Sequence, residues 1–240
     1  MINGRCHTCQ NDDAYKEFYW SWGDGKLVQD TYQCRYCEHV FRRYDGDVEE
    51  YHREKYRQFG EEGFEIYPEK ERSHYINNFL RCSEPFLDEK YEVLEIGSGD
   101  GMFAKIAKDH IKKITCSEID AKMAKMCVDL GFETINKSVL DFEDEQYDVV
   151  FGMDVLEHVL DIQLFRAKME QIVKNYLILQ VPVYRTMVPP NPTFDGHSHY
   201  FFPKSIAKLF EESFEPKSMY ISDRNTLARG TELFCAFKKK

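Results

Sequence analysis

Two cysteine pairs near the N-terminus have the spacing of a metal site. They are Cys6-x-x-Cys9 and Cys34-x-x-Cys37, and the span between them is rich in aromatic residues. Each pair can present two thiolates to one ion, and four thiolates complete the tetrahedral environment that Zn²⁺ prefers. Because little apolar sequence lies between the pairs, we expect a bound metal to stabilise this part of the chain. A redox dithiol and free core cysteines are the alternatives.

A second candidate site is a glycine-rich stretch that follows a short apolar run. Val93, Leu94 and Ile96 form the run, as expected for a strand that is covered on both faces. The stretch then reads Glu95-x-Gly97-x-Gly99-x-Gly101. Glycines let the backbone adopt positive φ and let a ligand approach closely. The spacing departs from the G-x-G-x-x-G of dinucleotide folds, because Met102 stands where the third glycine would be.

This stretch resembles motif I of the class I S-adenosylmethionine (SAM) methyltransferases, (E/D)-x-G-x-G-x-G. In that family an acidic residue ends the second strand, and Glu118 follows the strand predicted over 111–117 at the corresponding place. The segment from Asp154 to Val159, DVLEHV, resembles the one that follows the family's fourth strand. An ordinary glycine-rich turn without a ligand is the alternative.

The resemblance implies a SAM site at the carboxyl ends of the strands. Glu118 would bind both ribose hydroxyls, since two carboxylate oxygens match two neighbouring O–H donors. Val139 and Leu140 would pack on the adenine ring. The residues expected to bind the cofactor are Glu95, Gly97, Ser98, Gly99, Gly101, Glu118, Ile119, Val139, Leu140 and Met153.

The DVLEHV segment also places two carboxylates and an imidazole within about one helical turn. Two further imidazoles come later, at His197 and His199. In some relatives such groups hold a divalent ion beside an acceptor hydroxyl, where the ion would lower the hydroxyl pKa. In others the histidine packs in the helix or acts as a general base. The predicted catalytic residues are His158, His199 and Asp154, and the candidate second divalent site is Asp154, Glu157, His158 and His199.

The composition of the 240-residue chain narrows the choice of partners. Its net charge is −10 and its isoelectric point is about 5.4, which disfavours extended contact with nucleic-acid phosphates. No stretch is apolar for long enough to cross a bilayer, and the first ten residues contain no apolar signal segment. We therefore expect a cytoplasmic protein with reduced cysteines and no membrane contact. The oligomeric state is left open.

The fold expected from the resemblance is α/β, a doubly wound seven-stranded Rossmann-like methyltransferase sheet with a small N-terminal zinc-ribbon module. The expected parts are a ribbon over 1–47, a helical linker or cap over 48–85 and a SAM-dependent methyltransferase domain over 86–240. A helix from Glu69 to Leu80 would pack on the main domain. A proline-rich loop from Tyr184 to His199 would shape acceptor selectivity.

Together these features predict a SAM-dependent methyltransferase that also binds structural zinc and, as a candidate, a second divalent cation. The first choice of acceptor is a small, sugar-like or glycan-pathway molecule, methylated on oxygen rather than on carbon or nitrogen. This choice follows a resemblance to enzymes that join a CxxC…CxxC module to a methyltransferase domain and act on nucleotide-linked deoxysugars. One alternative is an RNA or protein methyltransferase that docks through the ribbon. Another is a non-catalytic binding module that keeps the fold.

Overall fold

The structure, a computed structural model, describes residues 5–12, 14–22, 27–45, 69–183, 197–222 and 231–240. The strands in these ranges form two β-sheets, one of four strands and one of seven. The part of the predicted linker over 48–68 and most of the predicted proline-rich loop, 184–196, lie outside the described residues.

The N-terminal cysteines lie at the ends of a small antiparallel sheet. Strand β1 (Ala14–Trp22) pairs with β2 (Leu27–Cys34), which pairs with β3 (Val40–Asp45). One cysteine pair precedes β1, and the other occupies the turn between β2 and β3. The buried side chains around the cysteines include Tyr32 and Phe41, whose rings stack 5.5 Å apart. This cluster is small, as expected for a unit that a metal stabilises.

The larger sheet has the strand order expected of a doubly wound fold. Its parallel strands are β4 (Glu92–Ile96), β5 (Lys113–Ser117), β6 (Glu133–Ile135), β7 (Tyr147–Met153) and β8 (Val173–Val183). After a two-residue strand, β9 (His199–Tyr200), come β10 (Phe214–Ser222) and β11 (Thr231–Lys239). The spatial order is β10-β11-β8-β7-β4-β5-β6, and β11 runs antiparallel to both of its neighbours.

Five α-helices in the described ranges connect or cover these strands. They are α1 (Glu69–Ser83), α2 (Met102–Ala107), α3 (Ala121–Asp129), α4 (Ile162–Ile172) and α5 (Pro203–Phe210). Aspartates begin two of them: the side chain of Asp120 accepts from the Met123 N–H, and that of Asp161 accepts from the N–H groups of Gln163 and Leu164.

Two hydrophobic cores cover the two faces of the large sheet. Phe79 of α1 is fully buried on one face, with its ring 5.5 Å from Phe151 of β7 and 5.7 Å from Phe234 of β11. Phe165 of α4 and Phe210 of α5 are fully buried on the other face. Helices therefore lie on both sides of the sheet, which confirms the predicted fold class.

The small sheet is completed by a strand from the second half of the chain. Strand β9 pairs antiparallel with β3, with Val40 opposite Tyr200 and Phe41 opposite His199. The side-chain amide of Gln163, in α4, also donates to the carbonyls of His7 and Thr8. The N-terminal sheet and the large sheet are therefore joined by backbone pairing as well as by side-chain contacts.

The predicted helices and strands of the large sheet are present, with ends that differ by a few residues. Helix α1 begins at Glu69 as predicted and extends to Ser83. Helix α3 ends shortly before Gly131, whose φ is +90°. Among the helices in the described ranges, none is long and apolar enough to cross a membrane.

Candidate functional site

The four N-terminal cysteines converge on one point. Their sulfur atoms lie within 4.8 Å of one another, and both the Cys6–Cys37 and Cys9–Cys34 sulfur pairs are 3.6 Å apart. Four thiolates at the usual Zn–S length of about 2.3 Å would be about 3.8 Å apart. A disulfide, in contrast, needs about 2.05 Å between its sulfurs. The spacing therefore fits tetrahedral coordination of a metal and not two disulfides.

The two cysteine turns have the same backbone geometry. In each turn the residue after the second cysteine is left-handed, with φ of +58° at Gln10 and +67° at Glu38. The N–H of Gln10 donates to the Cys6 carbonyl, and that of Glu38 donates to the Cys34 carbonyl. Burial, with the neighbouring thiols, raises the pKa of Cys9 to about 12. A bound cation would stabilise the deprotonated thiolates of this cluster.

The glycine-rich turn lies where β4 ends, beside the end of β7. Gly97, Gly99 and Gly101 all have positive φ, of +63°, +53° and +77°. A Cβ on Gly97 would lie 2.6 Å from Val155 Cγ2, whereas a Cβ on Gly99 would meet nothing within 4 Å. The chain order reverses between β4 and β7, and ligands bind at the carboxyl ends of strands at such a switch point. Gly99 therefore faces open space at the edge of the sheet where a ligand is expected.

Glu118 follows β5 and reaches back to this turn. Its Oε2 accepts from the Gly99 N–H at 2.8 Å, and its Oε1 accepts from the Asp120 N–H at 2.9 Å. Each carboxylate oxygen has two lone pairs, so each can accept a second hydrogen bond from a ligand hydroxyl. The structure thus brings Glu118 and the glycine turn together.

The other residues predicted to bind the cofactor have different positions around this turn. Ile119 is 73% exposed directly beside Glu118, and Val139 and Leu140 are half-buried in a short 3₁₀ helix. Met153, the last residue of β7, is half-buried as well. Ser98 and Glu95 point into the protein instead. The Ser98 hydroxyl donates to the Glu95 carbonyl and accepts from the Ser117 N–H. Glu95 is 6% exposed.

Burial of Glu95 has an electrostatic consequence. Desolvation, followed by the neighbouring Cys127 and other acidic groups, raises the pKa of Glu95 well above its usual value. Its Oε2 lies 3.8 Å from the Cys116 sulfur. Glu95 is therefore a buried side chain rather than a group on the open surface of the turn.

Helix α1 contacts both strand ends that border the candidate site. Arg72 donates two hydrogen bonds to the Asp100 carboxylate, at 2.7 and 2.5 Å, and Asp100 lies within the glycine turn. The Tyr75 hydroxyl donates to Asp154 Oδ2 at 2.8 Å. Sequence reasoning missed the roles of Arg72 and Asp100, because an ion pair between residues 28 positions apart leaves no periodic signal.

Asp154 has an unusual backbone conformation. Its φ is +53°, in the left-handed region that residues other than glycine rarely adopt, and its N–H donates to the Gln180 carbonyl at 3.0 Å. Such conformations are concentrated at functional sites, where the surrounding structure maintains them. Asp154 lies directly after β7, so this conformation occurs at the carboxyl edge of the sheet.

A second cluster of possible metal ligands lies next to this edge. Three possible ligand atoms lie within 4.8 Å of one another, one each from Glu157, His158 and His197. The centres of the His158 and His197 rings are 4.7 Å apart. Glu157 is 1% exposed. One carboxylate and two imidazoles form a donor set that suits first-row divalent ions.

The composition of this cluster differs from the predicted one. His197 joins Glu157 and His158, whereas Asp154 contacts Tyr75. His199 is 1% exposed, and its ring lies 5.1 Å from that of His39 and 5.9 Å from that of Phe201. The chain bends at Ser198, so the two histidines do not share one face as in a continuous strand. The sequence prediction named His199 for this site, whereas the structure places His197 beside Glu157 and His158.

The strand order and the glycine turn at the switch point are those of a doubly wound α/β domain. A sequence-family model for the methyltransferase domain matches residues 67–213, which is more than half of the chain. The chain therefore belongs to this family of methyltransferase domains.

Known proteins similar to this chain agree with that membership. The ubiquinone biosynthesis O-methyltransferase of Mesorhizobium japonicum is 32% identical in an alignment of length 103 that covers 39% of this chain. The matched part spans 40% of that relative's length. Two solved structures share the fold. One is the N-methyltransferase NodS of Bradyrhizobium japonicum, with a TM-score of 0.56 and 18% identity over 73% of this chain and 99% of that one. The other is the SAM-bound magnesium protoporphyrin IX methyltransferase of Synechocystis, with a TM-score of 0.55 and 14% identity over 70% of this chain and 80% of that one.

Proposed function

We propose that this chain transfers the methyl group of SAM to a hydroxyl oxygen of a small acceptor. The observation that carries the proposal is the position of Glu118, which hydrogen-bonds to the Gly99 N–H beside the open space over that glycine. In this account the ribose hydroxyls of SAM donate to Glu118, and the adenine packs near exposed Ile119 and half-buried Val139. SAM, when bound, supplies an activated methyl group on a sulfonium.

The chain's own residues have to orient the acceptor and take up its proton. We assign proton removal to His158, because it is half-buried beside the candidate site and contacts His197. A divalent ion held by Glu157, His158 and His197 is the alternative: the ion would lower the pKa of the acceptor hydroxyl, and His158 would then act as a ligand instead of as the base. The packing of His199 against His39 and Phe201 supports a role in joining the two sheets rather than direct contact with the acceptor.

The metal at the four cysteines is proposed to be structural Zn²⁺, because the donor set is all thiolate and closed. The acceptor class in this proposal is a small molecule with a hydroxyl group. The sugar-like acceptor expected from the sequence is the first candidate within that class. The relative from Mesorhizobium is named for an O-methyltransferase of ubiquinone biosynthesis, which adds small aromatic hydroxyl compounds as a second candidate.

A transfer assay tests this proposal directly. Labelled methyl transfer from SAM would be measured with nucleotide sugars, small aromatic hydroxyl compounds, RNA and peptides. We expect label on a small hydroxyl acceptor, and a rate at least 100-fold lower for His158→Ala, as is typical when a general base is removed. His110→Ala, a change at an exposed histidine after α2, is the matched control and should keep full activity.

The other outcomes distinguish the alternatives. Label on RNA or peptides alone would favour docking of a macromolecule through the N-terminal module. SAM binding without transfer to any acceptor would favour a non-catalytic module. Full activity of His158→Ala would exclude proton removal by that residue.

A further inference from the structure

The segment that carries His197 is held between the N-terminal module and the DVLEHV segment. On one side, the Ser198 N–H donates to the Glu157 carbonyl at 2.8 Å. On the other side, the Ser198 carbonyl accepts from the Arg42 N–H at 2.9 Å, directly before the β3–β9 pairing begins. The backbone at Ser198 is therefore fixed by one hydrogen bond from each part of the chain.

The side chain of Arg42 adds a contact to His197 itself. Its Nη1 donates to the His197 carbonyl at 2.7 Å, and its guanidinium carbon lies 5.1 Å from the centre of the Tyr200 ring. Arg42 is 3% exposed, so these contacts form away from solvent. A charged donor is roughly twice as strong as a neutral one, and a guanidinium can also stack on an aromatic ring. Arg42 thus fixes the segment on both sides of Ser198.

We propose that Arg42 is a positioning residue for the acceptor site, through which the N-terminal module sets the location of the His197 imidazole relative to Glu157 and His158. This inference rests on the divalent site of the proposed function. In this proposal the cysteine module affects the reaction through Arg42 and His197, without contacting the acceptor. The expected effect of losing Arg42 is a weaker divalent site with unchanged binding at the glycine turn.

Mn²⁺ is a suitable probe, because carboxylate and imidazole ligands suit it and thiolates select other metals. Arg42→Met keeps most of the side-chain volume and removes the donors, whereas Arg42→Lys keeps the charge and a single donor nitrogen. We expect Arg42→Met to raise the Mn²⁺ dissociation constant at least tenfold, and Arg42→Lys to raise it less. Both variants should retain one zinc per chain and bind S-adenosylhomocysteine within about twofold of the wild-type affinity. Arg81→Met, at an exposed arginine of α1, is the matched control.

A second measurement uses no added divalent ion. The ¹H–¹³C resonance of the His197 imidazole, assigned with His197→Gln, should shift or broaden in Arg42→Met and stay unchanged in Arg81→Met. An unchanged Mn²⁺ affinity and an unchanged His197 resonance in Arg42→Met would overturn the inference. If the wild-type protein binds no Mn²⁺, the proposed divalent site fails, and the His197 resonance alone decides whether Arg42 positions this residue. If Arg42→Met loses zinc, the same criteria apply to Arg42→Lys.

Discussion

The tightest steric constraint at the candidate site is at Gly97. Alanine there would adopt φ of +63° and place its Cβ 2.6 Å from Val155 Cγ2. The backbone conformation costs roughly 1–2 kcal/mol and the overpacking roughly 1–3 kcal/mol. We therefore expect Gly97→Ala to lower the free energy of unfolding, measured in urea, by more than Gly131→Ala does. Gly131 has φ of +90° with nothing within 4 Å of its Cβ position, so it isolates the backbone cost.

The same pair of residues offers an internal check. Val155→Ala removes the methyl groups that an alanine at position 97 would meet. The double variant Gly97→Ala/Val155→Ala should therefore recover stability relative to the sum of the two single changes. Equal losses for Gly97→Ala and Gly131→Ala, with no recovery in the double variant, would mean that this close approach does not constrain the turn.

Glu95 makes stability depend on pH in a direction that the structure fixes. Its raised native pKa means that the folded protein keeps a proton that the unfolded chain releases near the ordinary value of 4.5. Stability is therefore lost as the pH rises from the unfolded pKa toward the native one. Glu95→Gln removes this loss, so its free energy of unfolding relative to wild type should increase between pH 5 and pH 8. Urea unfolding of Glu95→Gln and of the wild type at pH 5 and at pH 8 measures this difference in free energy.

A control for this prediction is available on the surface. Glu89 has a side chain that is 80% exposed, so Glu89→Gln should show no comparable change with pH. A Glu95→Gln difference that stays constant from pH 5 to pH 8 would show that the carboxyl group is ionised in the folded protein.

At the scale of elements, α1 is connected to the candidate site by the Arg72–Asp100 ion pair. Burial alone would raise the pKa of Asp100, but the hydrogen bonds and charge of Arg72 more than offset it, and the pKa is lowered. A carboxylate with a lowered native pKa stabilises the fold above the unfolded pKa, and this contribution is lost as the pH falls through the native value. We expect Arg72→Met to be destabilised at pH 7, by an amount that shrinks below about pH 4.

The control for Arg72→Met is an arginine of α1 that forms no ion pair with Asp100. Arg81 is exposed and donates to Asn78, so Arg81→Met is the control. Thermal unfolding at pH 7 and at pH 3.5 would be compared for both variants. An Arg72→Met effect of the same size at both pH values would contradict the assigned ion pair.

Much of the large sheet could be predicted from local sequence, because each strand and helix carries its own apolar pattern. The glycine turn could also be placed, since it lies directly after an apolar run, and Glu118 could be placed through the resemblance to the family's second strand. The pairing of β3 with β9 could not, because Phe41 and His199 are 158 positions apart and β9 has two residues. The choice of His197 over His199 depends on the bend at Ser198, which no spacing rule indicates.

At the scale of the whole molecule, the module that contains the cysteine cluster is paired with the methyltransferase domain through β9 and Gln163. Metal binding by such a small unit contributes directly to its folding free energy. We expect one zinc per wild-type chain and a loss of zinc in Cys9→Ser. The melting temperature of that variant should fall by several degrees. Metal analysis and calorimetry measure both.

Cys82→Ser is the control for the zinc prediction, because Cys82 is half-buried and lies outside the cluster. It should keep the wild-type zinc content. A wild-type protein purified without a chelator that carries no metal, or a Cys9→Ser variant that keeps it, would contradict the assignment of the four cysteines.

The central claim is that SAM binds at the glycine turn with its ribose on Glu118, and a calorimetric titration with SAM tests it most directly. The account predicts one binding site per wild-type chain and an affinity at least tenfold lower in Glu118→Ala, since two charge-assisted hydrogen bonds are lost. Glu89→Ala, at an exposed position, should bind like wild type. A wild-type protein that does not bind SAM, or a Glu118→Ala variant with unchanged affinity, would contradict the account.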